Sequence, residues 1–303
     1  MGMQVQRGTR SANDRVKAYL QTILLRKPAG RGLTIFPDDI FLTGYFRSGS
    51  TWSRFLFGNY IWQDKEVTFA NLNDLVPSIY VHPDRVLRRM PRVIKSHESF
   101  DPRYPRTVYI VRDPRDVAVS FYFYNLKVRV IEDGYPMDEF VKRFVNVDVV
   151  DYANRVGSWE ENVMSWVRMR EGKSNFCLVR YEDLLTDPAA GLRKASPMLG
   201  IEPTPERIER ALRLSSAQHM RDLEKSQSEK WITTKGTRQD IAFVREAKSG
   251  GWKGKLSDAA VRLIEDAWGP SMRELGYELV SRSDDRAPVE ARTSQESNPQ
   301  NLY

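Results

Sequence analysis

The stretch from Ile40 to Asn59, IFLTGYFRSGSTWSRFLFGN, constrains this chain more than any other. Three apolar residues, Ile40, Phe41 and Leu42, lead into Gly44, then into the small-residue turn Ser48-Gly49-Ser50-Thr51, then into an aromatic-rich pattern of helical spacing. Strand, tight loop and helix in that order gather backbone N–H groups and the positive end of a helix around one point, where an anion is held. The spacing is nearly that of the nucleoside-triphosphate loop G-x-x-x-x-G-K-S/T. Gly44 and Gly49 stand at its two glycines and Thr51 at its hydroxyl, but Ser50 replaces the lysine. A cation lies inside the loop instead, at Arg47. The loop is built for a phosphate but lacks the lysine that reaches the β/γ-phosphates of ATP or GTP, which points to another phosphorylated donor.

Strand-like runs recur at Ile40–Tyr45, Arg92–Lys95, Thr107–Arg112 and Phe176–Arg180. Helical patterns lie between and after them, at Thr51–Trp62, Pro114–Val130, Met137–Val145, Ser158–Arg170, Ala189–Leu199, Pro205–Leu214 and Ser257–Leu275. Short apolar strands alternating with amphipathic helices, with the loop after the first strand, predict an α/β fold, a three-layer parallel sheet flanked by helices and P-loop-NTPase-like. Ligands bind such sheets at the carboxyl ends of the strands, so the chemistry is expected just after Tyr45, Lys95, Arg112 and Arg180. Residues 1–38 read as an arm with one helix, Asn13 to Leu25, residues 39–280 as the folded domain, and the polar residues 281–303 as a disordered tail.

With 303 residues the chain can bury a substantial core. No run approaches the roughly 18–20 apolar residues of a membrane span, and the basic N-terminus has no apolar segment behind it to serve as a secretory signal. Gln6 stands where a myristoylation pattern needs Ser or Thr. A cytoplasmic location is the expectation. The single cysteine, Cys177, sits in an apolar run and reads as a buried strand residue, while three scattered histidines offer no metal-ligand spacing. The net charge of +7 is spread along the chain with acids between, which suits a polyanionic small ligand better than nucleic acid.

Asp113-Pro114 marks a helix start, with aspartate as N-cap and proline at the first helical position. The preceding strand delivers Arg112 to the sheet edge and the helix carries Ser120 nearby; Arg112 meets an anion there or pairs with Asp113 or Asp116. Lys95-Ser96-His97 ends another strand. A histidine at that edge can act as general base, since its ordinary pKa of about 6.5 leaves much of it neutral at pH 7; Glu98 beside it is a rival base, and a structural histidine is the plain alternative. The segment FVREAKSGGWK combines Arg245 and Lys248 with Gly250-Gly251, a phosphate-clamping loop or a basic surface turn. Trp159 and Trp166, at helical spacing, read as core.

Together these pieces resemble the PAPS-dependent sulfotransferase family over about residues 38 to 275. Tyr45 through Trp52 is similar to the family's loop for the donor's 5′-phosphosulfate, YPKSGTTW. Arg112 to Ser120, RDPRDVAVS, resembles its 3′-phosphate motif. Lys95-Ser96-His97 matches the K-T-H segment that holds the family's base, Arg180-Tyr181-Glu182-Asp183 its Y-E-D turn, and Phe243 to Trp252 its R-K-G-x-x-G-D-W element. The resemblance implies sulfuryl transfer from PAPS to a hydroxyl or amine, without a metal. By it, His97, Arg47 and Lys95 are catalytic, and Arg47, Ser48, Gly49, Ser50, Thr51, Trp52, Arg112, Ser120, Tyr181, Arg245, Lys248 and Gly250 bind the donor.

Four departures accompany it. Arg47 stands for the loop lysine, and arginine keeps the charge with a different geometry. Glu246 and Ala247 replace lysine and glycine, Ala217 stands nearest the usual adenine-stacking aromatic, leaving Trp52 to stack, and the family's dimer motif is not recognisable after Lys253. Acceptor loops are expected at Val67–Pro83, Asn125–Pro136 and Ser226–Ile241, where Phe69, Leu72, Leu75, Ile79, Tyr80 and Trp231, with Phe121 to Tyr124 adjacent, suit a small apolar or aromatic alcohol. Two rivals stand beside this reading: a non-catalytic PAP/PAPS-binding module, and a P-loop kinase, which needs Mg²⁺ and the missing lysine.

Overall fold

The computed structural model describes residues 35–80, 92–149 and 156–280. The helix expected at Asn13–Leu25, the tail at 281–303 and the end of the first acceptor loop lie outside the described residues. Four strands, β1 (Ile40–Thr43), β2 (Val93–Lys95), β3 (Arg106–Val111) and β4 (Phe176–Arg180), form one sheet in the order β2-β1-β3-β4. Every pairing is parallel, with Phe41 opposite Ile94 and Thr107, and Ile110 opposite Val179. The α/β expectation holds, and β1, which leads into the phosphate loop, is central.

Alternation along each strand divides the interior in two. Phe41, Ile94, Tyr109 and Val111 face a core shared with α3 (Pro114–Lys127), α4 (Met137–Val145), α5 (Trp159–Arg170) and α10 (Asp258–Glu274). Ile40, Leu42, Val93, Val108 and Ile110 face the other core, with α1 (Ser50–Ile61), α2 (Leu72–Leu75), α7 (Pro188–Leu199) and α8 (Pro205–Leu214). A parallel sheet covered on both faces needs near-continuous apolar strands, which is why β1 is buried at all four positions. Trp159 and Trp166 are wholly buried, as their spacing indicated, and Cys177 is a buried residue of β4.

Differences from the sequence reading are physical at each boundary. β1 ends at Thr43 because a side chain at Gly44 would meet the Ile110 carbonyl at 2.3 Å, so the chain turns there into the loop. Ser158 and Ser257 stand outside their helices as N-caps, accepting from the N–H of Glu161 and Ala260. α3 stops at Lys127, short of Val130, as Arg129 takes a left-handed φ of 58° and Val130 N–H reaches back to the Asn125 carbonyl. The supposed turn at Tyr181 is a short helix, α6 (Tyr181–Thr186), and α9 (Ala217–Gln227) was not anticipated.

At the opposite sheet edge Asp39 and Arg92 form a buried pair joining the starts of β1 and β2; Arg92 Nε donates to Asp39 Oδ1 at 2.6 Å and Nη2 to Oδ2. Removing one partner leaves a buried charge. Asp39→Ala is therefore expected to lower unfolding free energy by about 3–5 kcal/mol, read from the midpoint of a urea titration, with no change in ligand affinity beyond that caused by unfolding.

Candidate active site

Carboxyl ends of β1, β2, β3 and β4 converge on one edge, and a cavity of about 340 Å³ opens there. The phosphate loop forms one wall. Gly49 caps α1 with φ 95°, and a Cβ on it would strike the Tyr181 ring at 2.5 Å, so the close approach of loop and α6 demands glycine. α1 has no side-chain cap and no acidic residue in its first turn, whereas Asp113, Ser158, Asp187 and Thr204 cap the helices they precede. Its first N–H groups and positive end are thus left open toward the cavity. Ser48 Oγ is buried without a hydrogen-bond partner, and Arg112 Nε likewise. Orphaned donors of this kind, beside an uncapped helix start, fit a phosphorylated ligand such as PAPS.

Arg112 lies over the Tyr181 ring, 4.3 Å from its centroid, and its Nη atoms donate to the carbonyls of Arg47 (3.3 Å) and Lys248 (3.2 Å). It ties together β3, the phosphate loop and the C-terminal loop. Its nearest carboxylate, Asp116, is 3.9 Å away and is committed elsewhere, accepting from Gly250 N–H at 2.8 Å and Trp252 N–H at 3.0 Å. Gly250 N–H is thus bound to Asp116, and it is the next glycine, Gly251, that lines the cavity. Lys248 is placed at the same edge. It lines the cavity, but its ammonium is 2.9 Å from Glu246 and largely exposed.

Arg47 has a left-handed φ of 63°, and its guanidinium lies between the rings of Tyr124 (4.7 Å) and Phe243 (4.9 Å) while Nε donates to Ser120 Oγ at 3.2 Å. The sequence reading put Arg47 and Ser120 at opposite ends of the donor; the fold joins them. Burial chiefly, with repulsion from Arg245 and Arg112, lowers the Arg47 pKa to about 10, so it remains a cation. Trp52 donates from Nε1 to the Ser215 carbonyl at 2.9 Å and stands edge-on to Tyr181. Its indole is therefore held in place, lining the cavity with Ala217, Met220, Leu212 and Phe243. Met220 and Leu212 were missed because aliphatic residues at helical spacing signal only a buried face.

His97 and Lys95 stand beyond Arg47, outside this cavity's lining. His97 is 4 % exposed, covered by Phe46 at 4.4 Å and Tyr80 at 6.0 Å between ring centroids. Its Nδ1 lies 2.6 Å from the Gly44 carbonyl. A carbonyl only accepts, so Nδ1 carries the proton, and Nε2 of the neutral ring keeps its lone pair. Burial first and Lys95 second push the His97 pKa well below 6.5, although the Gly44 bond opposes them. Lys95 extends over the Tyr80 ring, 4.9 Å from Nζ to centroid, and burial, Arg54 and Arg47 depress its pKa against the pull of Glu98. Glu98 is buried, and its carboxylate interacts with Tyr80, whose hydroxyl also accepts from His97 N–H at 3.0 Å. The rival base is thus occupied in holding the segment that carries His97.

Of the residues proposed to shape the acceptor pocket, Phe69, Leu72, Leu75, Ile79 and Trp231 are core side chains, each no more than 3 % exposed. They support the loops rather than line them. Phe46, Tyr80 and Tyr124 are only partly buried and remain beside His97 and Arg47. Among the described residues no three His, Cys, Asp or Glu side chains group as metal ligands, and no helix is long and apolar enough to cross a membrane.

The phosphate loop, the Arg112-to-Ser120 helix start and the segment ending at His97 meet at one sheet edge in the arrangement of a sulfotransferase fold. The chain belongs to the sulfotransferase domain family, whose model matches residues 37–276. It is 32% identical over 170 residues to 3-beta-hydroxysteroid sulfotransferase of Cavia porcellus, which covers 54% of this chain and 57% of that one. It is 26% identical over 251 residues to sulfotransferase 2A6 of Rattus norvegicus, covering 78% and 84%. The match thus spans less than two thirds of the guinea pig relative's length. Among solved structures, mouse sulfotransferase SULT7A1 complexed with PAP superposes with a TM-score of 0.61 at 23% identity, over 78% of this chain and 85% of that one. Retinol dehydratase in complex with retinol and PAP does so with 0.62 at 19%, over 88% of each. Both share the fold.

A depressed histidine pKa has a consequence for stability. Above pH 6.5 His97 is neutral in folded and unfolded chains alike; as pH falls below 6.5 the unfolded chain takes up a proton that the folded one resists. Stability contributed by keeping His97 neutral is therefore present above pH 6.5 and lost on the acid side, through the folded-state pKa. Urea midpoints measured at pH 7.5 and about pH 5 should show a smaller acid loss for His97→Ala than for the unaltered chain. An equal loss would mean the imidazole is free to protonate in the folded state.

Proposed function

We propose that the chain is a PAPS-dependent sulfotransferase that moves a sulfuryl group to a hydroxyl, or an amine, and releases 3′,5′-ADP. The observation that carries this reading is the His97–Gly44 bond, since it leaves a buried, neutral imidazole with Nε2 as a proton acceptor at the start of the phosphate loop. The donor supplies an activated sulfuryl group on a phosphate leaving group. Ser48, Gly49, Ser50, Thr51 and the open start of α1 would hold the 5′ side, and Arg112, Ser120 and Arg245 the 3′-phosphate, with the nucleoside against Trp52 and the apolar wall beside it.

His97 Nε2 takes the acceptor's proton as its oxygen or nitrogen attacks sulfur in line. The electron pair of the breaking S–O bond passes to the 5′-phosphate. Lys95 and Arg47 meet the charge that develops there, as do the loop N–H groups. Fixed cations aimed at developing charge in a water-poor site are usually the largest catalytic effect, each worth roughly 3–4 kcal/mol. Phe46, Tyr80 and Tyr124 around the base favour an apolar or aromatic alcohol as acceptor, and the relatives named for hydroxysteroids agree with that class.

Two variants separate the roles. Calorimetric titration of Arg112→Ala with 3′,5′-ADP should show binding weakened by about a hundredfold or more, from the loss of charge-assisted bonds. His97→Ala should bind 3′,5′-ADP nearly as well as the unaltered chain while transfer from PAPS to a phenolic or steroid alcohol falls by about 10²–10⁴-fold. Equal loss of binding in both would reject this division of labour, and preference for ATP with Mg²⁺ over 3′,5′-ADP would favour the kinase.

A further inference from the structure

The C-terminal loop carries a carboxylate into a wall made of cations. Arg245, Glu246, Lys248 and Lys255 all line the cavity, on the side where Arg112 emerges from β3. Arg245 and Lys255 approach the same ring, Phe123, at 4.3 Å from Cζ and 5.9 Å from Nζ to its centroid. Glu246 divides its carboxylate between the two lysines: Oε1 pairs with Lys255 Nζ, and Oε2 lies 2.9 Å from Lys248 Nζ. A Cβ on Gly251 would sit 3.3 Å from Oε2, so the carboxylate lies close against the backbone of the short 3-10 helix Gly251–Gly254. Ala247 follows with φ 51°, a conformation that costs alanine but not glycine, so the loop keeps a strained turn that presents this arrangement.

We propose that Glu246 is an intramolecular stand-in for the donor's 3′-phosphate and that Lys255 is a donor-binding cation which Glu246 holds until the phosphate displaces it. This inference rests on the PAPS reading of the cavity. An ionised carboxylate and a phosphate oxygen make the same charge-assisted bonds to an ammonium, so each satisfies Lys255 and only one can do so at a time. The pair with Lys255, then that with Lys248, pulls the Glu246 pKa down to about 2, so the carboxylate competes across the working pH range. Lys255, rather than a lysine next to Arg245 in sequence, then restores the positive charge lost where Glu246 stands. The Lys255 side chain is 27% exposed and that of Lys248 61%, and Lys248 remains to neutralise the carboxylate once Lys255 leaves it.

The test uses calorimetric titration of the full chain with 3′,5′-ADP and, as a probe lacking the 3′-phosphate, 5′-AMP. Lys255→Ala should weaken 3′,5′-ADP by about tenfold, as expected for one lost charge-assisted bond, with Lys255→Arg recovering most of it. Glu246→Gln should tighten 3′,5′-ADP by about threefold to tenfold, because the competitor loses its charge. Both should leave 5′-AMP within about twofold, since neither residue then faces a phosphate. The inference is overturned if Lys255→Ala binds 3′,5′-ADP as the unaltered chain does, if it weakens both nucleotides equally, or if Glu246→Gln weakens 3′,5′-ADP. Failure of the unaltered chain to bind 3′,5′-ADP is a different result: it rejects the donor reading, and this inference falls with it.

Discussion

The close approach of Gly44 to β3 is the constraint on which the site depends. With the Ile110 carbonyl 2.3 Å from where a Cβ would be, only glycine lets β1 end there and turn. The turn sets the start of the phosphate loop and aims the Gly44 carbonyl outward to His97 Nδ1. One backbone position therefore fixes the anion cradle and the tautomer of the candidate base. The three elements involved, β1, β3 and the segment after β2, are adjacent in a parallel sheet, where their carboxyl ends are brought level by the register itself.

Around that frame the protein collects positive charge and compensates it in ways that leave room for an anion. Arg47 lies between two aromatic rings, Arg112 over Tyr181 and Arg245 over Phe123. Arg54, buried behind them, donates to the carbonyls of Leu72 and Val76. Ring faces and carbonyls satisfy a cation without cancelling its field, as a carboxylate would. The acids nearby are occupied: Asp116 binds the C-terminal loop, and Glu182 receives the Asp113 N–H and the Tyr277 hydroxyl. Glu246 alone among the acids named here meets the cavity's lysines directly. Lys95, His97 and Arg47 have depressed pKa values, first because they are buried and then because cations stand beside them.

Much of this was legible before the fold was known. The four strands, the helix after the loop and the Asp113-Pro114 start were readable because each depends on local chemistry: apolar runs, a capping side chain, a glycine pair. Arg47, Arg112 and His97 could be named for the same reason, as their neighbours in sequence announce a strand end or the loop after it, whereas Tyr181 was named only through the family resemblance. Less legible were residues whose roles come from contacts distant in the chain. Asp116 was read as a surface partner for Arg112 and does lie 3.9 Å from it, but it is buried, and Gly250 and Trp252 claim it from 134 and 136 residues away. Apolar residues assigned to the acceptor were indistinguishable in sequence from core, and burial shows Phe69, Ile79 and Trp231 to be core.

The sequence by itself determined the architecture and the chemical inventory: a parallel α/β sheet, an anion loop without its lysine, and cations and a histidine at strand ends. Those follow from periodicity, turn chemistry and charge, which act over a few residues. Tertiary structure alone decided the pairings: Arg47 with Ser120, Glu98 with Tyr80, Glu246 with Lys255, and His97 with the Gly44 carbonyl. Each joins side chains or backbone from different loops, and their separation is set by sheet register and by how α3, α6 and the C-terminal loop stack on its edge. Local spacing carries no information about such distances, so the same residues could be listed in advance but not connected.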